Sequence, residues 1–554
     1  MLLNDDLAGH IRAAIERAQA AGSLPAFEVP DVPVERPKQA AYGDYATPVA
    51  MQLARLARQM PQRIAEAIVQ HLPLPPYIGR AEVAAPGYIN LTLSPDWLVA
   101  QVDGIRTLGE RFGNLDLGRG RRVQVEYVSA NPTGPLHTGS ARNAVLGDAL
   151  ANVLAAAGYD VQREYYVNDA GSRMYAFYAS LYARYAQALG GEEPVPTDGY
   201  LGHYLADWGQ RIAKEEGSRY LLLPREEAIA AIGKRGLAIV LESICGDLAS
   251  MGIRYDCWFS ERSLYEDGLF DRVLAALRKA GYVEEREGAI WFKATELGGD
   301  KDEVIVRSNG QPGYFASDVA YHYHKFVVRG FERVIDVWGA DHQGHVPRMK
   351  AMMRALGLDP ARLEFVIYQL VTLRRGGEIV RLSKRTGDII TLRELLDEIG
   401  PDALRFFLLA RSADSQMDLD LDLAVQQSDE NPVFYVQYAH ARIASILRHA
   451  GDLPIEAGDV SLLTSPPEQS LLRALVRLPE VIQQAATNLA PHHLAYYAQD
   501  LAGIFHGFYR DCRVVSSDPA DREITLARLK LVDAARIVLA RTLGLMGMSA
   551  PETM

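Results

Sequence analysis

The sequence predicts an α/β protein in which a Rossmann-type parallel-sheet domain lies between a small α+β N-terminal domain and an all-α C-terminal helical bundle. Residues 123–128 are rich in β-branched and aromatic residues and give way to helical spacing from Ser140 (Leu146, Leu150, Val153, Leu154, Ala157). A second strand-like run at 161–167 completes a strand, helix, strand unit of about 45 residues, the length of a right-handed crossover between parallel strands. From Asp402 onward Leu, Ala, Phe and Tyr recur every three and four residues with few strand signals, as in a bundle.

Residues 1–107 form the first domain. Ile11, Ala14, Ile15 and Ala18 share a helical face, two proline-rich breaks follow, and residues 87–93 read as a strand. A turn-rich linker at 113–120 leads into the first crossover strand, and Gly158 is a natural stop for the helix after it. Further strands are expected at 303–307, 333–338 and 364–368. Residues 168–260 are largely helical, an insertion within the parallel-sheet domain at 108–400, and residues 401–554 make the bundle. No internal repeat is evident.

At 554 residues the chain exceeds what one hydrophobic core organises, and 48% hydrophobic with 23% charged residues is ordinary for a globular protein. No apolar run is long enough to span a bilayer, and the N-terminal stretch has two early acids where a leader would carry cations, so a cytoplasmic protein is expected. Cys245, Cys257 and Cys512 lack Cys-x-x-Cys spacing, which disfavours a disulfide framework and a zinc site. A net charge of −12 excludes indiscriminate polyanion binding, so any nucleic-acid contact is local. Candidates are Arg119, Arg121 and Arg122, the stretch from Arg374 to Arg385, and Arg442 with Arg448; each also reads as scattered solvated charge.

Two segments carry chemistry. Asn131-Pro132-Thr133-Gly134-Pro135-Leu136-His137-Thr138-Gly139-Ser140 joins a strand to a helix, where an imidazole and unpaired main-chain N–H groups can meet an anion. Arg381-Leu382-Ser383-Lys384-Arg385-Thr386-Gly387 is a basic loop. Together they are the halves expected of a site that activates a carboxylate with ATP: His137 bonds a phosphate, Gly139 admits close main-chain approach, and Lys384 neutralises developing charge. The plainer readings are a helix cap for His137 and a solvated loop for Ser383-Lys384-Arg385.

His137-Thr138-Gly139-Ser140 resembles the His-Ile-Gly-His signature of class I aminoacyl-tRNA synthetases, and Arg381-Leu382-Ser383-Lys384-Arg385 resembles their Lys-Met-Ser-Lys-Ser loop. The surrounding stretches narrow this: residues 126–148, Tyr165-Tyr166-Val167-Asn168-Asp169-Ala170-Gly171, Trp258-Phe259-Ser260-Glu261, Trp338-Gly339-Ala340-Asp341-His342, Asp402-Ala403-Leu404-Arg405 and residues 508–514. The chain resembles the arginyl-tRNA synthetase family over nearly its whole length. Tyr42-Gly43-Asp44-Tyr45-Ala46-Thr47 is similar to that family's N-terminal tRNA-contacting domain.

The resemblance implies L-arginine, ATP with Mg²⁺ and an arginine tRNA as substrates, an arginyl-adenylate intermediate, no tightly bound cofactor, and a monomer. It also implies a 2′-OH acceptor and activation that needs bound tRNA. By the same resemblance ATP meets Asn131, Pro132, Leu136, His137, Gly139, Ser140, Leu382, Ser383 and Lys384, with His137, Ser140 and Lys384 serving the chemistry. Arginine meets Glu126, Ser129, Asn131, His137, Tyr314, Asp318 and Gln343: Asp318 takes the guanidinium, and Asn131 with Glu126 lies near the amino group and main chain of the substrate. A guanidinium presents five donors in a plane and needs acceptors in a fork, and Tyr314 and Asp318 stand one helical turn apart; an exposed helix face is the alternative.

In the bundle, Tyr435, Gln437, Tyr438, His440 and Arg442 mix aromatics with polar and cationic groups, which suits unpaired bases, although tyrosines packing a bundle core give the same pattern. Tyr42 joins them as a tRNA contact. Ser140 departs from the signature's second histidine; a lost charge-assisted hydrogen bond costs about 1.5 to 3 kcal/mol unless a shorter hydroxyl contact replaces part of it. Arg381 keeps the charge of the loop's first lysine. A cysteine-specific synthetase is disfavoured by the lack of a cysteine zinc cluster, and a non-catalytic tRNA-binding paralogue by Lys384, Asn131 and Asp318.

Overall fold

The computed structural model describes residues 2–380 and 390–554. At its centre five parallel strands, β1 (Arg122–Glu126), β2 (Asp160–Val167), β3 (Cys257–Ser260), β4 (Arg333–Gly339) and β5 (Leu363–Tyr368), pair in the order β5-β4-β1-β2-β3. The chain moves outward from β1 to β3 and then returns to the other side of β1. Ligands of open parallel sheets bind at the carboxyl ends of the strands where this reversal occurs, here between β1 and β4.

Helix α1 (Thr138–Ala156) crosses from β1 to β2 and is buried on nearly every side. It is therefore apolar around most of its circumference, and its buried Arg142, Asn143 and Asp148 are paired. Arg142 donates to the carbonyls of Gln369, Ser412 and Ser415, and Asp148 accepts from Arg405. Gly147 has no freedom to change, because a Cβ there would lie 2.2 Å from the Tyr127 ring.

The expected N-terminal features are present. Helix Leu3–Ala20 buries Ile11, Ala14, Ile15 and Ala18, and strand Tyr88–Leu93 is the middle of an antiparallel sheet with Tyr45–Thr47 and Ile78–Ala84. This unit is tied to the bundle: Arg36 and Tyr45 both bond the Glu480 carboxylate, and Arg473 reaches Asp44 at 2.9 Å.

The insertion contributes helices Ser172–Ala188, His203–Glu216 and Arg225–Ser250. It is followed by β3, whose four residues the helical reading of 168–260 passed over. The strand expected at 303–307 forms as Glu303–Val306 in a separate antiparallel sheet with Val283–Arg286 and Ala289–Phe292. Met417–Asp420 adds a strand inside the expected all-helical region by pairing in parallel with Val371–Arg375. Beyond it, Pro432–Ala450, Pro466–Leu475, Leu478–Thr487, His492–Asp511 and Arg522–Leu545 make the bundle.

Residues 546–551 pack back on Asp402 and Arg405, and Arg405 pairs with Asp148 of α1 in the sheet domain. Arg405, 1% exposed, donates its Nε to the carbonyl of Met546 at 3.1 Å, and Asp402 accepts from the Ser549 main-chain amide at 3.0 Å. All three cysteines are free thiols. Among the described residues no helix is long and apolar enough to cross a membrane.

Candidate active site

The turn after β1 is unusual and rigidly held. Val128 and Ser129 both have positive φ, +65° and +42°, a conformation that a β-branched residue adopts only under constraint. Asn143 of α1 supplies it: its Oδ1 accepts from the Val128 amide at 2.6 Å, and its Nδ2 donates to the Val337 carbonyl of β4 at 2.9 Å. The hydroxyls of Tyr165 and Tyr255 fix the carbonyls of Ala130 and Tyr127. Ser129 is thereby aimed so that its hydroxyl donates to Glu126 Oε1 at 2.9 Å and accepts from the Tyr166 amide at 3.1 Å. Asn131 emerges exposed, while Pro132 and Leu136 are buried.

His137 caps α1. Its Nδ1 accepts from the Gly139 amide at 3.1 Å, so the plainer reading of this residue is realised. The cap does not exclude the other role. Although His137 as a whole is exposed, desolvation of the ring lowers its pKa; a neutral ring whose Nδ1 accepts carries its proton on Nε2, a donor left for an anion. A Cβ at Gly139 would stand 3.0 Å from the His137 ring, so the glycine makes room for the folded-back imidazole, a different close approach from the one expected. Ser140 is 7% exposed, within the first turn of the helix.

Leu382, Ser383, Lys384 and their neighbours in the basic loop lie outside the described residues. The chain downstream of them is stitched to the His137 turn. Leu392 donates its main-chain N–H to the Leu136 carbonyl at 2.7 Å, and Thr391 forms a bridge with His137. Thr391 and Glu394 then make a capping box that starts helix Leu392–Ile399.

Helix α2 (Tyr314–Tyr323) supplies the expected acid. Asp318 is half-buried, and neither of its carboxylate oxygens has a hydrogen bond among the described residues. Burial pushes its pKa up to about 7; His322 opposes this, while Glu261, Glu126 and Asp336 add to it. Tyr314, one turn earlier, is exposed beneath the Arg307 guanidinium, 5.2 Å from its ring centre. Gln343 is exposed in the short 3₁₀ segment Ala340–His345 directly after β4, at the same carboxyl edge of the sheet.

Three residues here escaped the sequence. Glu261 follows the last residue of β3; Ser317 donates to one of its oxygens, and its Oε2 is buried with no hydrogen bond among the described residues. Tyr166 in β2 has its hydroxyl pKa raised far by burial and then by Glu261, Asp318 and Glu126, which marks where the acids converge. Lys325 is fully buried and reaches Glu126 Oε2 at 2.6 Å and Asp336 Oδ1 at 2.9 Å. The signal for Glu261 was its place at a strand's carboxyl end, visible only once β3 is recognised. Among the described residues no cluster of three or more His, Cys, Asp or Glu side chains is arranged to hold a metal.

In the bundle the expected cluster divides. The Arg442 guanidinium lies 4.5 Å from the Tyr438 ring centre and 5.0 Å from that of Tyr509, and bonds the Tyr438 hydroxyl at 2.6 Å. Tyr435 packs on His506 with centroids 4.7 Å apart. Tyr435, Tyr438, His506 and Arg442 are half-buried and Tyr509 is exposed, so the group remains partly open to a ligand. Gln437 and His440 do not fit a base-reading role: both are buried, Gln437 donating to Asp402 and Ser549 and His440 Nδ1 to the Pro551 carbonyl at 2.9 Å. Their polarity serves to anchor residues 549–551. In the N-terminal domain Tyr42 is 49% exposed. Arg121 and Arg122 are spent on the carbonyls of Gly118 and Arg329.

Known proteins match this chain from end to end. Residues 5–93 match the family model described as arginyl tRNA synthetase N terminal domain, residues 106–408 that of the tRNA synthetases class I (R) catalytic domain, and residues 436–554 the DALR anticodon binding domain. The chain is 52% identical over 543 residues to the arginine–tRNA ligase of Dehalococcoides mccartyi, covering 98% of this chain and 97% of that protein. It is 48% identical to that of Carboxydothermus hydrogenoformans, covering 100% and 99%. Among solved structures, Thermus thermophilus arginyl-tRNA synthetase superposes with a TM-score of 0.78 at 25% identity over the full length of both chains.

Proposed function

The chain belongs to the class I arginyl-tRNA synthetases, ligases that join arginine to tRNA in protein synthesis, and we propose that both steps of that reaction run at the carboxyl edge between β1 and β4. Arginine enters with its guanidinium toward Asp318 and the neighbouring acids, and its α-amino and carboxylate groups toward Asn131, Ser129 and Gln343. ATP lies along the His137 turn with its phosphates toward the N-terminus of α1 and toward Lys384. Mg²⁺ arrives with ATP as part of the substrate.

In the first step an oxygen of the arginine carboxylate attacks the α-phosphorus in line, and the bond to the bridging oxygen breaks to release pyrophosphate. His137 Nε2–H, the free amides of the helix and the Lys384 ammonium stabilise the charge that spreads onto the phosphates. In the second step the 2′-hydroxyl of the terminal tRNA ribose attacks the adenylate carbonyl and AMP leaves. Tyr42 on one side and Tyr435, Tyr438, Arg442 and Tyr509 on the other hold the tRNA, stacking and charge contacts answering for a protein of net charge −12. The enzyme works as a monomer in the cytoplasm.

The observation that carries this reading is the Asp318 carboxylate, a half-buried fork acceptor with no hydrogen bond among the described residues. A guanidinium fills such a fork with two parallel N–H donors, whereas the compact ammonium of lysine leaves an acceptor unpaired. The test is charging of total tRNA with labelled arginine, lysine and cysteine in parallel, with ATP and Mg²⁺, for wild type, Lys384→Ala and Asp318→Asn. Arginine-only charging that collapses in both variants supports the assignment. Arginine charging untouched by Asp318→Asn would show that the guanidinium is held elsewhere.

A further inference from the structure

The turn between β1 and α1 is short of donors of its own, because Pro132 and Pro135 carry no main-chain N–H. It is fixed through its carbonyls, at every third residue, by donors from distant parts of the chain. The Ala130 carbonyl accepts from the Tyr165 hydroxyl at 3.0 Å, the Thr133 carbonyl from the Tyr204 hydroxyl at 3.0 Å, and the Leu136 carbonyl from the Leu392 amide at 2.7 Å. The first donor comes from β2 and the last from the chain downstream of the basic loop. Tyr204 comes from the insertion, in the first turn of helix His203–Glu216.

Tyr204 is built into this position. Its ring packs on Trp208 with centroids 4.9 Å apart, and Trp208 meets the buried Phe177 of helix Ser172–Ala188 edge-on at 6.4 Å. Gly134 faces the phenol closely: a Cβ there would stand 2.9 Å from Oη, so the glycine leaves the room that the hydroxyl needs. A Cβ at Gly202 would lie 2.2 Å from the same ring. The insertion also reaches the chain downstream of the basic loop. The buried Asp247 of helix Arg225–Ser250 accepts from Arg393 Nε at 2.9 Å, on helix Leu392–Ile399.

We propose that Tyr204 is a positioning residue for ATP: its hydroxyl holds the Thr133 carbonyl and so sets where the His137 imidazole and the first amides of α1 stand relative to the phosphates. This rests on the placement of ATP along the His137 turn given above. Tyr204 acts through the main chain of the turn, not on the nucleotide itself. Donors stabilise developing charge only when they are held in place beforehand, and a turn containing two prolines and a glycine takes part of its geometry here from the insertion.

The full-length protein is assayed for arginine charging, with KM measured for ATP, arginine and tRNA, in Tyr204→Phe, in Gly134→Ala, in the two combined and in His137→Ala. If Tyr204 positions the turn, Tyr204→Phe raises KM for ATP about threefold to tenfold, the worth of one neutral hydrogen bond, while KM for arginine and for tRNA holds within about twofold. Gly134→Ala drives a Cβ against the hydroxyl and breaks the same contact, so the double variant is no worse for ATP than the worse of the two single ones. A Tyr204→Phe enzyme with a wild-type KM for ATP, KM values that rise together for all three substrates, or two substitutions whose effects multiply overturns the proposal and leaves Tyr204 a packing residue of the insertion. Where Gly134→Ala fails to fold, Tyr204→Phe alone decides. His137→Ala separates this failure from that of the underlying reading: if it leaves KM for ATP and turnover unchanged, ATP does not lie along this turn.

Discussion

The main-chain N–H of Leu392 donates to the carbonyl of Leu136 at 2.7 Å, joining the chain that leaves the basic loop to the turn that carries His137. Two segments separated by nearly half the sequence are thereby secured at one end of α1. Lys384→Ala is expected to lower kcat for arginine charging by about 10² to 10³, the range for removal of one preorganised charge or donor, with little change in KM for arginine. Single-turnover formation of the adenylate checks it.

Ser140 lies buried in the first turn of α1, at the place where the class signature has its second histidine. If its hydroxyl keeps part of that contact, Ser140→Ala lowers kcat/KM for ATP by about threefold to tenfold, the worth of one neutral hydrogen bond. ATP binding and turnover unchanged from wild type would assign the hydroxyl no part.

The pH dependence of arginine binding follows from Asp318. Its pKa stands near 7 in the free protein, pushed up chiefly by burial, and a guanidinium pairs with the ionised form. The affinity for arginine should therefore climb between pH 6 and about 8 and then level off. The stability effect has the opposite sign: a carboxyl whose folded pKa exceeds its unfolded one stabilises the fold fully at low pH and loses that contribution as pH rises through the folded value. Thermal unfolding with and without arginine across this range shows both, and Asp318→Asn should remove both.

In the bundle two neighbours on one helix should behave in opposite ways. Arg442→Ala, which opens the sandwich of Tyr438 and Tyr509, is expected to raise KM for tRNA and leave KM for arginine and the unfolding midpoint nearly unchanged. Gln437→Ala strands the Asp402 and Ser549 partners, so it should reduce stability by about 1 to 3 kcal/mol. Kinetics and denaturant melts of the two variants make the comparison.

Arg405→Met leaves the buried Asp148 carboxylate without its principal cation. Breaking one side of such a pair typically costs about 3 to 5 kcal/mol, and the loss should appear in the melting temperature ahead of any change in arginine affinity.

Much of this was legible in the sequence where a local pattern suffices. The crossover from β1 through α1 to β2 shows because β-branched and helical periodicities change at Asn131 and Gly158, and the His137 turn stands out at that boundary. The family-like stretches carried Glu126, Ser129 and Asp318 to one site. What stayed hidden depends on distant partners. Nothing in the residues around Lys325 singles it out; only the fold brings Glu126, 199 positions away, beside it. Gln437 and His440 read as base contacts because their true partners, Asp402, Ser549 and Pro551, lie far off in the chain. β3 has four residues, too few for alternation to register between helices.

The return of residues 546–551 to Asp402 and Arg405 bears on how the molecule is made. A ribosome releases β1, α1 and the His137 turn early, but the Met546 carbonyl that closes over Arg405 emerges only after the whole bundle. The Arg405–Asp148 pair against α1 is thus closed over only after the bundle has been translated. A polypeptide cut short before Met546 carries Arg405 without this main-chain acceptor, so the cation paired with the buried Asp148 of α1 is held by one bond fewer.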